Sequence, residues 1–143
     1  MLTEFTTLGD LVREVPLPED VVYPFHAILF NDQFLVCHGR GSDLLNRICS
    51  VDRSGRVTRS YGGPRGSAEG QLSNTQRLAV DMDKNIVVAD VGNNRILMLS
   101  RDLTCVRELV SRRDVIVSPW ELCVSGRRLY VADVGLIKLR VFE

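Results

Sequence analysis

The side chains able to move protons or hold ions recur in this chain at fixed offsets. Asp90 is followed five residues later by Arg95, and Asp133 five residues later by Lys138. An acid and a base repeated in this way suit charge-assisted hydrogen bonds between successive loops. A catalytic pair is needed once per molecule rather than once per repeat, so the recurrence points to a structural role. The two histidines, His26 and His38, are too few for a His-rich metal centre in one chain. A metal-dependent lyase or hydrolase would need a symmetric dimer in which His26 of each copy approaches the axis. No Ser-His-Asp context and no nucleophile elbow is present, and Gly62-Gly63-Pro64-Arg65-Gly66 lacks the Lys-Ser/Thr of a phosphate loop. These residues predict a chain that is not an enzyme, with no cofactor and no metal.

The elements that must position them are short strands in a long repeat. Val88-Ala89-Asp90-Val91-Gly92 returns 43 residues later as Val131-Ala132-Asp133-Val134-Gly135. Each copy is preceded by a further apolar run, Leu78-Ala79-Val80 and Leu122-Cys123-Val124, and followed by another, Ile96-Leu97 and Leu139. A more divergent copy lies upstream: Ala27-Ile28-Leu29-Phe30, then Gln33-Phe34-Leu35-Val36-Cys37, then Asn46-Arg47-Ile48, a triplet that recurs at 94–96. Between its second and third runs, residues 39–45 form an enlarged loop. A period of about 40 to 45 residues built from short strands is the signature of a propeller blade.

The predicted fold is therefore all-β, a β-propeller of four-stranded blades with about three blades at 23–62, 73–111 and 117–142. The outer strands are expected at Val57-Thr58-Arg59-Ser60-Tyr61 and Cys105-Val106-Arg107-Glu108-Leu109-Val110, where apolar and polar residues alternate. The third copy stops after its third strand. Leu11-Val12-Arg13-Glu14-Val15 reads like the outer strand at 105–110 and is expected to complete that blade. Three blades do not close a ring, so a homodimer forming six blades, or the remainder of a longer chain, is the expected partner.

Composition narrows the partners. The 18 acidic residues balance 18 Lys and Arg, which leaves no global field toward nucleic acid or an anionic membrane. The opening Met1-Leu2-Thr3-Glu4-Phe5 lacks a signal-peptide pattern, and no run approaches the ~18 apolar residues of a membrane helix, so a cytoplasmic address and no membrane partner are expected. Cys37, Cys49, Cys105 and Cys123 fall on or beside different strands without Cys-x-x-Cys spacing, which predicts reduced, mostly buried thiols.

Residues 74–97, with Leu78-Ala79-Val80-Asp81, Asn85-Ile86-Val87-Val88-Ala89-Asp90 and Asn93-Asn94-Arg95-Ile96, strongly resemble an NHL repeat. The glycine-punctuated stretch 61–72 resembles the linker that leads into one. The third copy keeps Val-Ala-Asp-Val-Gly but has Leu136-Ile137-Lys138 for Asn-Asn-Arg, and the first has Cys37-His38 for Ala-Asp. The resemblance implies a six-bladed propeller of the kind found in tripartite-motif ubiquitin ligases, which bind protein or RNA on one rim face. A relative on a similar ring, the peptide-amidating lyase, is a metal enzyme.

The loops of that face carry Arg40, Arg65, Asn74, Gln76, Asn93, Asn94 and Trp120. Aligning the inner strands puts His26, Arg77 and Glu121 at equivalent positions near the mouth of the channel. The expected partner-binding residues are Arg40, Arg65, Asn74, Arg77, Asn93 and Trp120, and the expected ligand is a protein or peptide. Single-stranded RNA is the alternative, weakened by Asp43, Glu69, Asp90, Glu121 and Asp133 among the same loops.

Overall fold

Runs of β-branched and aliphatic residues separated by Asn-Asp, Ser-Gly and Asp-Lys-Asn turns fold into antiparallel meanders. The computed structural model describes residues 1–39, 45–104, 106–114 and 116–143. In them the strands are β1 (Leu2–Phe5), β2 (Leu11–Val15), β3 (Pro24–Phe30), β4 (Gln33–His38), β5 (Leu45–Val51), β6 (Val57–Pro64), β7 (Thr75–Val80), β8 (Ile86–Asp90), β9 (Arg95–Leu99), β10 (Val106–Val110), β11 (Pro119–Ser125), β12 (Arg128–Asp133) and β13 (Lys138–Phe142). They form two four-stranded sheets, β3-β4-β5-β6 and β7-β8-β9-β10, a three-stranded sheet, β11-β12-β13, and the hairpin β1-β2. All pairings are antiparallel, and the fold is that of propeller blades. Among the described residues no helix is long and apolar enough to cross a membrane.

Burial explains the strand composition. Every residue of β8 is buried, which requires an uninterrupted apolar run ending in a single acid. β10, at the outer edge, exposes Val106, Arg107 and Glu108 and buries Val110. The sheets stack face to face. Leu35, Cys37 and Ile48 of the first share a core with Leu78, Ile86, Val88 and Leu97 of the second. The opposite face of the second supplies Val87, Ala89 and Ile96 to a core with Leu122, Leu129 and Val131 of the third. The hairpin brings Val15 and Leu2 against Phe34, Val36, Cys49 and Val51.

In this chain Leu11–Val15 pairs with β1, and among the described residues no strand pairs with the outer edge of β13. The reason lies in register. Leu2 stands opposite Val15 as Ile48 stands opposite Tyr61 and Ile96 opposite Val110. Residues 2–5 are thus a third strand in their own right, and the inner edge of β2 is already taken.

A short clasp joins successive sheets. The residue before each innermost strand adopts a left-handed conformation: Tyr23 at φ 49°, Asn74 at 52° and Ser118 at 60°. Asn46 Oδ1 accepts the Asn74 backbone N–H at 2.9 Å, and Asn94 Oδ1 accepts that of Ser118 at 2.8 Å. The recurring Asn-Arg-Ile triplet therefore serves the next sheet through its asparagine.

Candidate functional site at the channel mouth

Each innermost strand carries a β-bulge at the same place. Pro24 pairs with His38 and His26 with Cys37, leaving Phe25 unpaired; Thr75 pairs with Asp90 and Arg77 with Ala89, leaving Gln76; Pro119 pairs with Asp133 and Glu121 with Ala132, leaving Trp120. Bulges re-aim side chains and interrupt pairing at the rims of sheets. Here they separate one residue per sheet, Phe25, Gln76 or Trp120, from the next, His26, Arg77 or Glu121. Trp120 is 42% exposed, whereas Gln76 is buried and donates to Asn74 Oδ1 at 2.8 Å.

The second set makes a polar row across the three sheets. Arg77 Nε donates to Glu121 Oε2 at 2.7 Å, bridging β7 and β11, while its Nη1 donates to the Gln76 carbonyl at 3.0 Å. On the other side, the Leu78 backbone N–H donates to His26 Nδ1 at 3.2 Å. An Nδ1 that accepts a hydrogen bond leaves the neutral imidazole protonated at Nε2. Burial lowers the His26 pKa, the neighbouring Arg77 lowers it further, and Glu121 opposes both. The row therefore offers a neutral Nε2–H donor, a guanidinium and a carboxylate. That set suits a ligand carrying a carbonyl or carboxylate beside a hydrogen-bond donor.

The repeated acids do structural work. Asp90 is buried and accepts from the Ser73 backbone N–H at 2.7 Å, Asn93 Nδ2 at 2.8 Å and Arg95 Nε at 2.7 Å. Burial raises its pKa, and these three donors oppose the rise. Asp133 accepts from the Val117 N–H at 2.9 Å and the Leu136 N–H at 3.3 Å, so its hydrogen bonds come from the backbone. In the first sheet His38 stands in their place, fully buried, with its Nε2 accepting from Arg47 Nε at 3.3 Å. Burial, then the Arg47 charge, push the His38 pKa down to about 4.

The structure brings the residues expected at the channel mouth, His26, Arg77 and Glu121, into one row, and of those expected to bind a partner Trp120 adjoins Glu121 in the chain. Arg65 and Asn93 are drawn into the scaffold: Arg65 Nε donates to Ser73 Oγ at 2.9 Å, and Asn93 Nδ2 to the Gly66 carbonyl at 2.9 Å. Asn74 forms the clasp described above. Arg40 lies outside the described residues. The bulges had no signal in the single sequence, whereas the clasp asparagines had one in the repeated triplet. Among the described residues no group of three or more His, Cys, Asp or Glu is placed to hold a metal ion.

Stacked antiparallel sheets with a polar row on their innermost strands define a β-propeller, and the solved structures similar to this chain agree. They include a streptogramin B lyase (TM-score 0.67, 14% identity, covering 99% of this chain and 47% of that one). Virginiamycin B lyase from Staphylococcus aureus matches with a TM-score of 0.64 at 14% identity, over 98% of this chain and 47% of that one. A protein of unknown function from Bacteroides caccae matches with a TM-score of 0.62 at 12% identity, over 97% and 48%. No protein-family model and no curated protein matches. This chain thus spans about half the length of the solved proteins it resembles.

At these identities the likeness establishes the fold. It also corrects the expectation that the chain is not an enzyme, because two of these three structures are lyases and the architecture is one on which catalysis is built. The error came from weighing single motifs. A propeller assembles its sites from residues far apart in sequence, as the row His26, Arg77, Glu121 illustrates, so missing local motifs exclude little.

Proposed function

We propose that this chain is an NHL-type part-propeller that binds an extended protein or peptide ligand at the channel mouth. Trp120 is the apolar anchor, and Arg77 and the His26 Nε2–H are the polar contacts. The NHL assignment rests on the residues at 78–96 and on the clasp their asparagine makes. The observation that carries the binding reading is that the unpaired bulge residue of β11, the chain's one tryptophan, is 42% exposed next to the Glu121–Arg77 pair. Exposed aromatics beside arginine are the usual anchors of protein interfaces. RNA is less favoured because Arg65 is held by Ser73 and Arg95 by Asp90, and because Glu121 stands in the row itself. Closure of the ring, by a second copy or by further blades, is part of this reading.

Peptide display on the purified chain tests it. Recovered peptides should bind Trp120→Ala and Arg77→Ala at least about tenfold more weakly by calorimetry. Peptides that bind both variants as well as the parent reject the reading.

One observation favours a second, catalytic reading: the fixed tautomer of His26, whose Nε2–H could stabilise charge developing on a leaving oxygen. The lyases of similar fold make virginiamycin B the substrate to try. The reading requires consumption of virginiamycin B, followed by mass spectrometry, that is lost in His26→Ala. An unchanged substrate ends it.

A further inference from the structure

Each side chain of the polar row on the innermost strands is held by part of its hydrogen-bonding capacity and presents the rest. His26 accepts the Leu78 backbone N–H through Nδ1, which leaves its Nε2–H. Arg77 commits Nε to Glu121 and Nη1 to the Gln76 carbonyl, and among the described residues no bond uses its Nη2. Glu121 accepts through Oε2, and among the described residues its Oε1 has no donor. The Arg77 and Glu121 side chains are 27% and 53% exposed, so a ligand can reach both.

The row is fixed from behind. Gln76 is buried; its carbonyl accepts from Arg77, and its Nε2 donates to Asn74 Oδ1 at 2.8 Å. Asn74 is tied to the first sheet in turn, its N–H donating to Asn46 Oδ1. The clasp between the sheets thus sets the direction of the guanidinium. Groups held in this way discriminate, because they do not turn to suit a wrong ligand.

Charge and hydrogen-bond direction decide what fits. Arg77 and Glu121 cancel, and His26, whose pKa burial lowers, adds no charge. A ligand carboxylate would meet Arg77 but also the Glu121 charge. An ammonium would meet Glu121 but also Arg77 and the His26 N–H. A group that accepts from His26 and Arg77 while donating to Glu121 gains both sets of bonds without either repulsion. A trans peptide group carries its C=O and N–H on opposite sides. A primary carboxamide carries its oxygen and its NH₂ side by side on one planar head, with two lone pairs and two donors.

We propose that the row is a carboxamide-selective subsite. It takes the side chain of an Asn or Gln in the bound peptide, with the amide oxygen toward His26 Nε2 and Arg77 Nη2 and the NH₂ toward Glu121 Oε1. The assignment rests on the reading of this row as part of a peptide-binding site and names the residue such a peptide presents to it. Glu121 is the specificity-determining residue, since its charge separates the amide from the acid.

The probes are three pools of pentapeptides, acetylated and capped as N-methylamides. The central residue is Asn or Gln, Asp or Glu, or Lys or Arg, and the other positions vary among residues with neither charge nor carboxamide. The immobilised intact chain, read by mass spectrometry, should retain the carboxamide pool at least about tenfold better than either charged pool. In Glu121→Gln the preference over the acidic pool should vanish, because the repelling charge is gone. Equal retention of the three pools, or a preference that survives Glu121→Gln, overturns the inference; the peptide reading then stands if retention is lost in Trp120→Ala. Retention of no pool overturns the inference as well, and peptide display decides the peptide reading separately.

Discussion

Ile137 stands in the third sheet where Asn94 stands in the second. Both precede the third strand, at φ 54° and 52°, but only Asn94 reaches across to a following sheet, at the Ser118 N–H. The left-handed region costs an ordinary residue about 1–2 kcal/mol and is worst for β-branched side chains. Ile137 is 92% exposed, so no packing offsets that cost. Ile137→Asn should therefore stabilise the chain by about 1 kcal/mol. Asn94→Ala, which loses the clasp and strains the turn, should destabilise it by about 2 kcal/mol. Urea midpoints at unchanged slope read both, and a neutral Asn94→Ala would show that the clasp does not hold the sheets.

Asp90 is the buried acceptor for three donors, one of them the guanidinium of Arg95, whose side chain is 15% exposed. Breaking a buried pair by removing one partner leaves an uncompensated charge. Asp90→Ala should cost about 3–5 kcal/mol in denaturant unfolding. Asp133→Ala, with backbone donors and no buried guanidinium, should cost less. Equal losses would mean that the Arg95 pair adds nothing.

These acids also show why the fold class was legible in the sequence. In Val-Ala-Asp-Val-Gly the Asp takes the N–H of the inter-sheet residue, Ser73 or Val117, and the Gly lies where that residue passes. A Cβ on Gly92 would come within 2.3 Å of Ser73 Oγ, and one on Gly135 within 2.5 Å of the Val117 carbonyl oxygen. A repeat whose every residue has such a local task survives divergence and can be read. The hairpin partner of β2 was missed because Leu2–Phe5 carries none of those marks, its counterpart of Arg47 and Arg95 being Met1 by register. The roles of Arg65 and Asn93 were missed for a different reason. Their partners, Ser73 and Gly66, meet them only once the linker folds back over the strand end, and no spacing rule encodes that.

His38 replaces the repeated Asp and leaves a pH signature. Its pKa falls to about 4 in the fold because burial and Arg47 disfavour the imidazolium. The unfolded chain binds a proton near pH 6.5 and the folded chain does not, so this contribution is complete above pH 6.5 and is lost as pH falls toward 4. The loss should amount to up to about 3 kcal/mol. Asp52 and Asp102, held down to about 2 by hydrogen bonds from Ser54 and Ser100, act in a lower window, between the usual carboxylate range and pH 2. His38→Asn, which keeps a polar side chain opposite Arg47 but does not titrate, should flatten the slope between pH 6.5 and 4 and leave the lower window unchanged. A slope that persists in this variant would assign it to other groups.

The polar row on the innermost strands makes a directional prediction of its own. Burial lowers the His26 pKa first, Arg77 lowers it second, and Glu121 raises it. Arg77→Ala removes a repelling charge and should raise the His26 pKa. Glu121→Gln removes an attracting one and frees Arg77 from its pair, so it should lower the pKa. Opposite shifts in an NMR titration of the His26 ring, with the Leu78 amide moving in step because it donates to Nδ1, are the expected result. Shifts of the same sign, or none, would mean that the three side chains do not share one electrostatic site, and the binding and catalytic readings would both lose their polar contacts.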